Sequence, residues 1–308
     1  MPSKCTVIID SCTDLNLALV NKENIEIINF TYTTSEGEFV DDFFESTSPH
    51  DFYEAMRGGE NPTTSQLGLH SLLKVFTKLA KENKPSVFMC FSGGLSGSYQ
   101  VALTARDQVI TQYPDAEIHI VDTLLASGAE GLLVMEALRL HDNGLSASEL
   151  ADWALEARYY VNAIFTVDGL GSLERGGRIP SSIAFAGSKL DVRPMLTLDL
   201  DGKIALSGVS RGRKKSINFM LDYYQKNTDF EAGNRFAMVL DADCKKDSEK
   251  ILSLLPRKDK ELVTLEHSFG PVIGSHLGPG AVGLVFWGKD RRDNDSVANR
   301  IARKIKNN

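Results

Sequence analysis

The chain has no Cys-x-x-Cys pair. Its four cysteines, Cys5, Cys12, Cys90 and Cys244, stand far apart, in or beside apolar runs or, for Cys244, beside charges. That pattern reads as reduced, intracellular thiols. An excess of positive charge is also missing: the net charge is -7. Nucleic-acid affinity is built mainly from Lys and Arg neutralising phosphates, so nucleic acid is not expected as a partner. No apolar stretch approaches the ~20 residues of a membrane span. The start, Met1-Pro2-Ser3-Lys4, runs straight into Val7-Ile8-Ile9-Asp10 without the apolar core of a leader peptide. A cytoplasmic protein with no transmembrane segment is the expectation.

What is present is ordinary for a globular protein: 42% hydrophobic and 24% charged residues, with 25 Gly and 10 Pro. That balance excludes collagenous and disordered classes. A length of 308 residues suggests about two domains.

In the first half, short runs rich in β-branched residues alternate with longer helical patterns, which is the signature of βα units. Strands are predicted over Thr6 to Ile9, Ile25 to Asn29, Ser86 to Phe91 and Glu117 to Val121. Helical spacing of apolar residues marks Leu67 to Glu82, Tyr99 to Gln112, Ala129 to His141 and Ala147 to Ala157. Continuous apolar strands such as Val87-Phe88-Met89-Cys90-Phe91 suit a parallel sheet covered on both faces. The N-terminal domain, residues 1–161, is therefore predicted as a doubly wound, mostly parallel α/β unit. Its functional residues are expected just after the strands, where strand-to-helix loops converge.

From Asn162 a smaller α/β domain with antiparallel elements is predicted over 162–308. It opens with the strand Ala163 to Val167 and includes a hairpin, Met195 to Leu200 and Ile204 to Val209, turning at Asp201-Gly202. Helix Lys214 to Gln225, strand Arg235 to Leu240, helix Ser248 to Leu254 and strand Leu262 to Glu266 follow.

Four segments place small hydroxyl residues and glycines directly after a predicted strand or before a helix. They are Asp10-Ser11-Cys12-Thr13-Asp14, Thr63-Thr64-Ser65-Gln66, Ser92 to Ser98, and Asp122-Thr123 through Ala126-Ser127-Gly128. Each alone is an N-cap; together they make an anion-friendly surface. In Ser92-Gly93-Gly94-Leu95-Ser96-Gly97-Ser98 three glycines let backbone amides approach a ligand. The segment lacks the Gly-Lys-Ser/Thr ending of a phosphate loop. It also lacks a nucleophile elbow, because Ser98 stands where the second glycine belongs.

Gly270-Pro271-Val272-Ile273-Gly274-Ser275-His276-Leu277-Gly278-Pro279-Gly280 sets a histidine among glycines and prolines, where a base, an anion donor and a turn residue are all open readings. No second histidine stands at metal-ligand spacing, so no metal site is expected. Glu174-Arg175-Gly176-Gly177-Arg178-Ile179-Pro180, with Arg211, Arg213, Lys214 and Lys215 downstream, forms a local positive concentration on an acidic chain.

The ordered set of these motifs resembles the DegV family, bacterial fatty-acid-binding proteins that serve as the lipid-presenting subunit of fatty acid kinase. It comprises Asp10-Ser11-x-x-Asp14-Leu15, Thr64-Ser65-Gln66, Gly94 through Gln100, Ala126-Ser127-Gly128, Gly176-Gly177-Arg178-Ile179, Arg213-Lys214-Lys215 and the Gly270 to Gly280 segment, nearly the length of the chain. The resemblance implies a two-domain DegV-like fold, with a long-chain fatty acid buried in an apolar tunnel of the C-terminal domain and its carboxylate at the domain junction. Carried over by motif, Thr64, Ser96, Gly97 and His276 surround the carboxylate, with Ser65, Ser127 and Ser275 as additional positions. The family commonly has Ser where Gly93 stands, and Thr where Ser98 and Ser275 stand.

The resemblance further implies no catalytic residue and no cofactor. Instead, a separate fatty acid kinase subunit would convert the carboxylate to an acyl phosphate for phospholipid synthesis, with Arg178, Arg211 and Arg213 of a monomer docking that kinase or meeting the anionic product. Tunnel-wall candidates are Ile164, Phe165, Ile183, Phe185, Met195 and Leu196, each of which equally suits an ordinary core. Two other classes stand beside this reading: an acyl hydrolase or transferase using Ser96 as nucleophile and His276 as base, and an interaction protein whose loops are only caps.

Overall fold

The computed structural model describes residues 5–179, 192–229, 236–255 and 262–294. β1 (Thr6–Asp10) and β6 (Ser86–Cys90) are buried at every residue. Successive side chains of a strand point to opposite faces, so burial of all of them means that both faces are covered. These two strands centre a four-stranded, wholly parallel sheet in the order β2–β1–β6–β7, with β2 (Ile25–Ile28) and β7 (Ile118–Asp122) at its edges.

The helices of this half follow the expected pattern. α3 (Leu69–Lys81) buries Leu72, Phe76, Leu79 and Ala80, one stripe at helical spacing, and pairs with α4 (Ser98–Gln112). α6 (Ala147–Ala157) starts at a reciprocal capping box between Ser146 and Glu149. α5 (Ser127–Asp142) is buried at every residue from Ser127 to Val134. It packs on β1 and also on β8 (Val161–Thr166), β11 (Phe236–Asp241) and β13 (Val282–Trp287). This helix therefore lies between the two main sheets.

The second sheet has six strands in the order β10–β9–β8–β13–β11–β12, completed by β9 (Val192–Leu198), β10 (Ile204–Arg211) and β12 (Val263–Ser268). Only β11 and β12 run parallel; the other pairs are antiparallel. Although its half of the chain is shorter, this sheet is the wider of the two. The hairpin expected at Asp201-Gly202 joins β9 to β10, and Gly202 takes φ +73° there.

Period-2 alternation splits the second sheet's side chains. Ile164, Met195, Val239, Val282, Leu284 and Phe286 face a core under α8 (Arg213–Asn227) and α9 (Lys245–Leu254). Phe165, Leu196, Leu198, Met238, Leu240 and Val285 face the N-terminal half.

Several features were not expected from the sequence, among them β13 at the centre of the six-stranded sheet. A small antiparallel sheet, β4–β3–β5, is built from β3 (Thr31–Thr34), β4 (Gly37–Val40) and β5 (Thr63–Ser65). Thr-Tyr-Thr-Thr and Thr-Thr-Ser carry almost no apolar alternation, so the pattern on which strand prediction depends is missing. The Gly270 to Gly280 segment is a helix at its centre, α10 (Pro271–Leu277), with proline in the first turn, where its missing N–H costs nothing. Short helices α1 (Leu17–Val20), α2 (Pro49–Arg57) and α7 (Gly171–Arg175), with 3-10 turns at Ser11–Thr13 and Arg291–Asn294, complete the described elements. Arg57 of α2 bonds both Glu54 and Asp243, tying the N-terminal half to the turn after β11. Among the described residues, no helix is long and apolar enough to cross a membrane.

Candidate functional site

An apolar cavity lies where the carboxyl ends of the parallel sheet meet the inner face of the six-stranded sheet. Phe30 and Phe91, just beyond β2 and β6, close one side, their rings edge-to-face at 5.8 Å. Phe165, Leu198, Ile204, Leu240 and Val285 close the other. The cavity has a volume of about 90 Å³. Of the expected wall residues, Phe165 lines it from the inner face, and Ile164 borders it although its side chain belongs to the core under α8 and α9. Met195 is fully buried on the opposite face of its sheet, and Leu196 is fully buried in the core without reaching the cavity, so neither forms the wall. Ile183 and Phe185 lie outside the described residues.

At one end the wall becomes polar. Thr64 of β5 meets His276 of α10, with Thr64 Oγ1 2.8 Å from His276 Nε2. Nδ1 of the same ring is buried with no partner among the described residues, packed against Gly176, where a Cβ would stand 2.1 Å from it. Burial, and secondarily the Arg178 guanidinium, pushes the His276 pKa down to about 4, so the ring is neutral at pH 7.

A neutral ring carries one proton. A buried unpaired N–H is more costly than an unpaired lone pair, so the proton belongs on Nε2, donating to Thr64 Oγ1. The Thr64 hydroxyl is thereby left to donate into the cavity.

Ser96 is arranged in the same way. Its Oγ accepts from the Ser98 backbone N–H at 3.2 Å and lies 2.9 Å from Ser98 Oγ. Ser98 in turn accepts from the Leu67 N–H at 3.0 Å. An acceptor in the cavity selects the arrangement in which Ser98 donates to Ser96 and Ser96 donates to the ligand. Two hydroxyls thus converge, each backed by a second polar group. Arg178 adds positive charge beside them, with Nε bonded to Leu95 O at 3.1 Å and Nη1 to Gly176 O.

The remaining sequence candidates are distributed differently. Ser65 lies exposed at the cavity rim. Ser127 lines the cavity but donates its proton to Asp14 Oδ2 at 2.5 Å. Ser275 donates to Pro271 O within its own helix at 2.6 Å and does not line the apolar cavity. Gly97 stands before the first turn of α4, outside the cavity wall, against Gln66. Arg213 is bonded to Asp247, Asp168 and Cys244, whereas Arg211 is exposed on the edge strand β10.

Ser92 donates to Gly202 O at 2.8 Å, fastening the glycine-rich loop to the hairpin of the second sheet. The sequence reading missed Phe30, Leu240, Phe269 and Val285 as cavity walls, because apolar wall and apolar core have the same composition.

A nucleophile–base pair is not formed. Ser96 bonds Ser98, His276 bonds Thr64, and among the described residues no carboxylate orients His276 Nδ1. A ring with a pKa near 4 is also a weak base at neutral pH.

Behind Ser127 lies a group of buried acids. Asp10 accepts from Cys12 N and Phe91 N, and burial pushes Asp10 and Asp41 up to about 7. Burial raises Asp14 and Glu130 well above the carboxylate range. Burial likewise raises Cys12 and Cys90, and none of the four cysteines forms a disulfide.

A family model described as "Uncharacterised protein, DegV family" matches residues 4–289. The chain belongs to the DegV family. A DegV domain-containing protein of Clostridium perfringens is 32% identical over 285 residues, spanning 92% of this chain and 98% of the relative. The crystal structure of DegV from Bacillus subtilis, described as a fatty acid binding protein, superposes with a TM-score of 0.80 at 28% identity, covering 93% of this chain and 100% of that one. A Thermotoga maritima structure said to reveal fatty acid binding function gives a TM-score of 0.77 at 27% identity, with 93% and 99% covered.

Proposed function

We propose that this DegV protein binds one long-chain fatty acid, with the acyl chain in the apolar cavity and the carboxylate held by the Thr64 and Ser96 hydroxyls. The observation that carries the reading is the asymmetry of the cavity: aromatic and aliphatic along its walls, with two backed hydroxyls and a guanidinium at one end. Each buried methylene contributes about 0.8 kcal/mol, so about fifteen would give roughly 12 kcal/mol before the costs of association. A carboxylate buried without donors would forfeit much of that. Hydroxyl donors and Arg178 oppose the loss and favour the ionised acid. The fatty acid binding described for the Bacillus subtilis and Thermotoga maritima relatives supports the same ligand class.

The protein then acts as a carrier in the cytoplasm, presenting the carboxylate to a separate kinase subunit that forms the acyl phosphate for phospholipid synthesis. Its four cysteines, none in a disulfide, are compatible with a reducing compartment. Of the three arginines expected to dock the kinase, Arg211 is the one whose side chain is exposed, while Arg178 and Arg213 are bonded within the fold.

Native mass spectrometry and organic extraction of the purified protein test the lipid. Co-purified fatty acid, or uptake of added oleate or stearate, is expected; neither being seen would sink the reading. Acyl phosphate formation from loaded protein, ATP and a kinase subunit tests presentation. Arg211→Ala is expected to slow that turnover while lipid stays bound.

A further inference from the structure

Most polar side chains around the apolar cavity belong to its carboxylate end: Ser65 and Gln66 follow Thr64 in the chain, and Arg178 bonds the carbonyl of Leu95, before Ser96. Ser127 has no such link. It is the first residue of α5, lines the wall, and is bonded to Asp14 Oδ2 at 2.5 Å. Its place along the cavity follows from α10. Asp14 Oδ1 lies against Gly270, the N-cap of that helix, where a Cβ would stand 2.5 Å from it. His276 meets Thr64 at the other end of the helix, about 9 Å along its axis at ~1.5 Å per residue. A chain anchored at Thr64 and Ser96 therefore meets Ser127 several methylenes from its carboxylate.

Ser127 is held there under strain. Its backbone takes φ +55° and that of Asp14 +51°, a left-handed region that non-glycine residues occupy only where the surroundings enforce it. Asp14 Oδ1 is buried without a partner among the described residues, as are both carboxyl oxygens of Glu130, and orphaned buried oxygens destabilise the fold further. Helix capping does not explain the serine, since the N-cap is Ala126 and the Ser127 hydroxyl bonds Asp14. Donating to Asp14, Ser127 turns its lone pairs to the cavity. Methylenes leave those lone pairs unmatched, whereas a hydroxyl on the chain donates to them. Were the shared proton held by Asp14, Ser127 would donate instead, and a hydroxyl, which both donates and accepts, would pair with it again. We infer that Ser127, positioned by Asp14, recognises a hydroxyl in the middle of the acyl chain, so that the ligands of this cavity include hydroxylated long-chain fatty acids. The inference rests on the fatty acid reading of the cavity and adds to it a contact remote from the carboxylate. The bond to Ser127 offsets the water that the buried hydroxyl gives up, which a wholly apolar wall could not do.

The test titrates the full chain with stearate and with three hydroxystearates, carrying the hydroxyl beside the carboxylate, in mid-chain and near the methyl end, by displacement of a fluorescent fatty acid. Wild type is expected to bind the mid-chain isomer at least as tightly as stearate and more tightly than the other two. Ser127→Ala is expected to lower the affinity ratio of mid-chain hydroxystearate to stearate about tenfold, the worth of one buried hydrogen bond. Ser127→Gly removes the same hydroxyl and relieves the left-handed strain, so it should show the same ratio even if the alanine variant folds poorly. An unchanged ratio in these variants, or equal binding of the three isomers by wild type, overturns the inference. So does a wild type that binds stearate and excludes all three. Failure of wild type to bind stearate would instead overturn the fatty acid reading, so the two failures are separable.

Discussion

Thr64 Oγ1 and His276 Nε2 are 2.8 Å apart although 212 residues separate them in the chain. β5 and α10 bring them together, and the neutral ring donates so that the hydroxyl can donate in turn. Thr64→Val keeps the shape and removes the donor. Fatty acid affinity is expected to fall about tenfold or more, since a hydrogen bond to a charged group is worth about 1.5–3 kcal/mol. Ser96→Ala should act similarly. Displacement titration with unchanged thermal stability checks both; unaltered affinity in both variants would remove the hydroxyls from the site.

Gly176 holds the ring from behind. Its φ of -72° suits any residue, so Gly176→Ala introduces no backbone strain, yet the added Cβ would meet His276 Nδ1 at 2.1 Å. The variant is expected to fold, displace the imidazole and lose affinity to about the extent that His276→Ala does. Wild-type affinity in Gly176→Ala would show that the ring position does not matter.

The buried acids and His276 oppose each other in their pH dependence. Asp41 has a folded pKa of about 7 against an ordinary 3.8, so its folded form holds a proton that the unfolded form releases, and its contribution to stability is lost as pH rises between those values. Asp41→Asn should therefore become more stable relative to wild type on going from pH 5 to pH 8, by roughly 2 kcal/mol or more. His276 has a folded pKa of about 4 against 6.5, so the unfolded form gains the proton first and stability is lost as pH falls from 6.5 towards 4. The stability advantage of wild type over His276→Asn should shrink across that window by about 3 kcal/mol at most. Urea denaturation at pH 4.5, 6 and 8 measures both; parallel curves for wild type and variants would contradict the assignments.

The two arginines near the start of α8 should separate cleanly. Arg213→Ala removes the bonds to Asp168 and Asp247 and is expected to cost about 1 kcal/mol, seen as a lower unfolding midpoint. Arg211→Ala should leave stability unchanged. Equal midpoints for the two variants would mean that the Arg213 bonds contribute nothing.

The continuous apolar runs of β1 and β6 could belong only to a covered parallel sheet, and the turn Asp201-Gly202 between two apolar runs was enough for the hairpin. Local pattern also located the hydroxyl loops, because strand ends and helix starts have their own chemistry. Local pattern could not show that Thr64 sits on a strand, since Thr63-Thr64-Ser65 has no apolar face and pairs only with a distant Thr31–Thr34. Nor could it show that Ser275 bonds its own helix while its neighbour His276 reaches Thr64, or that Met195 and Leu198 face opposite sides of one strand relative to the cavity. The sequence by itself determined the elements with a clear apolar period and the kinds of donor present, because these depend on near neighbours. Only the tertiary structure decided which hydroxyls keep a proton for a ligand, because each proton's partner comes from a remote part of the chain.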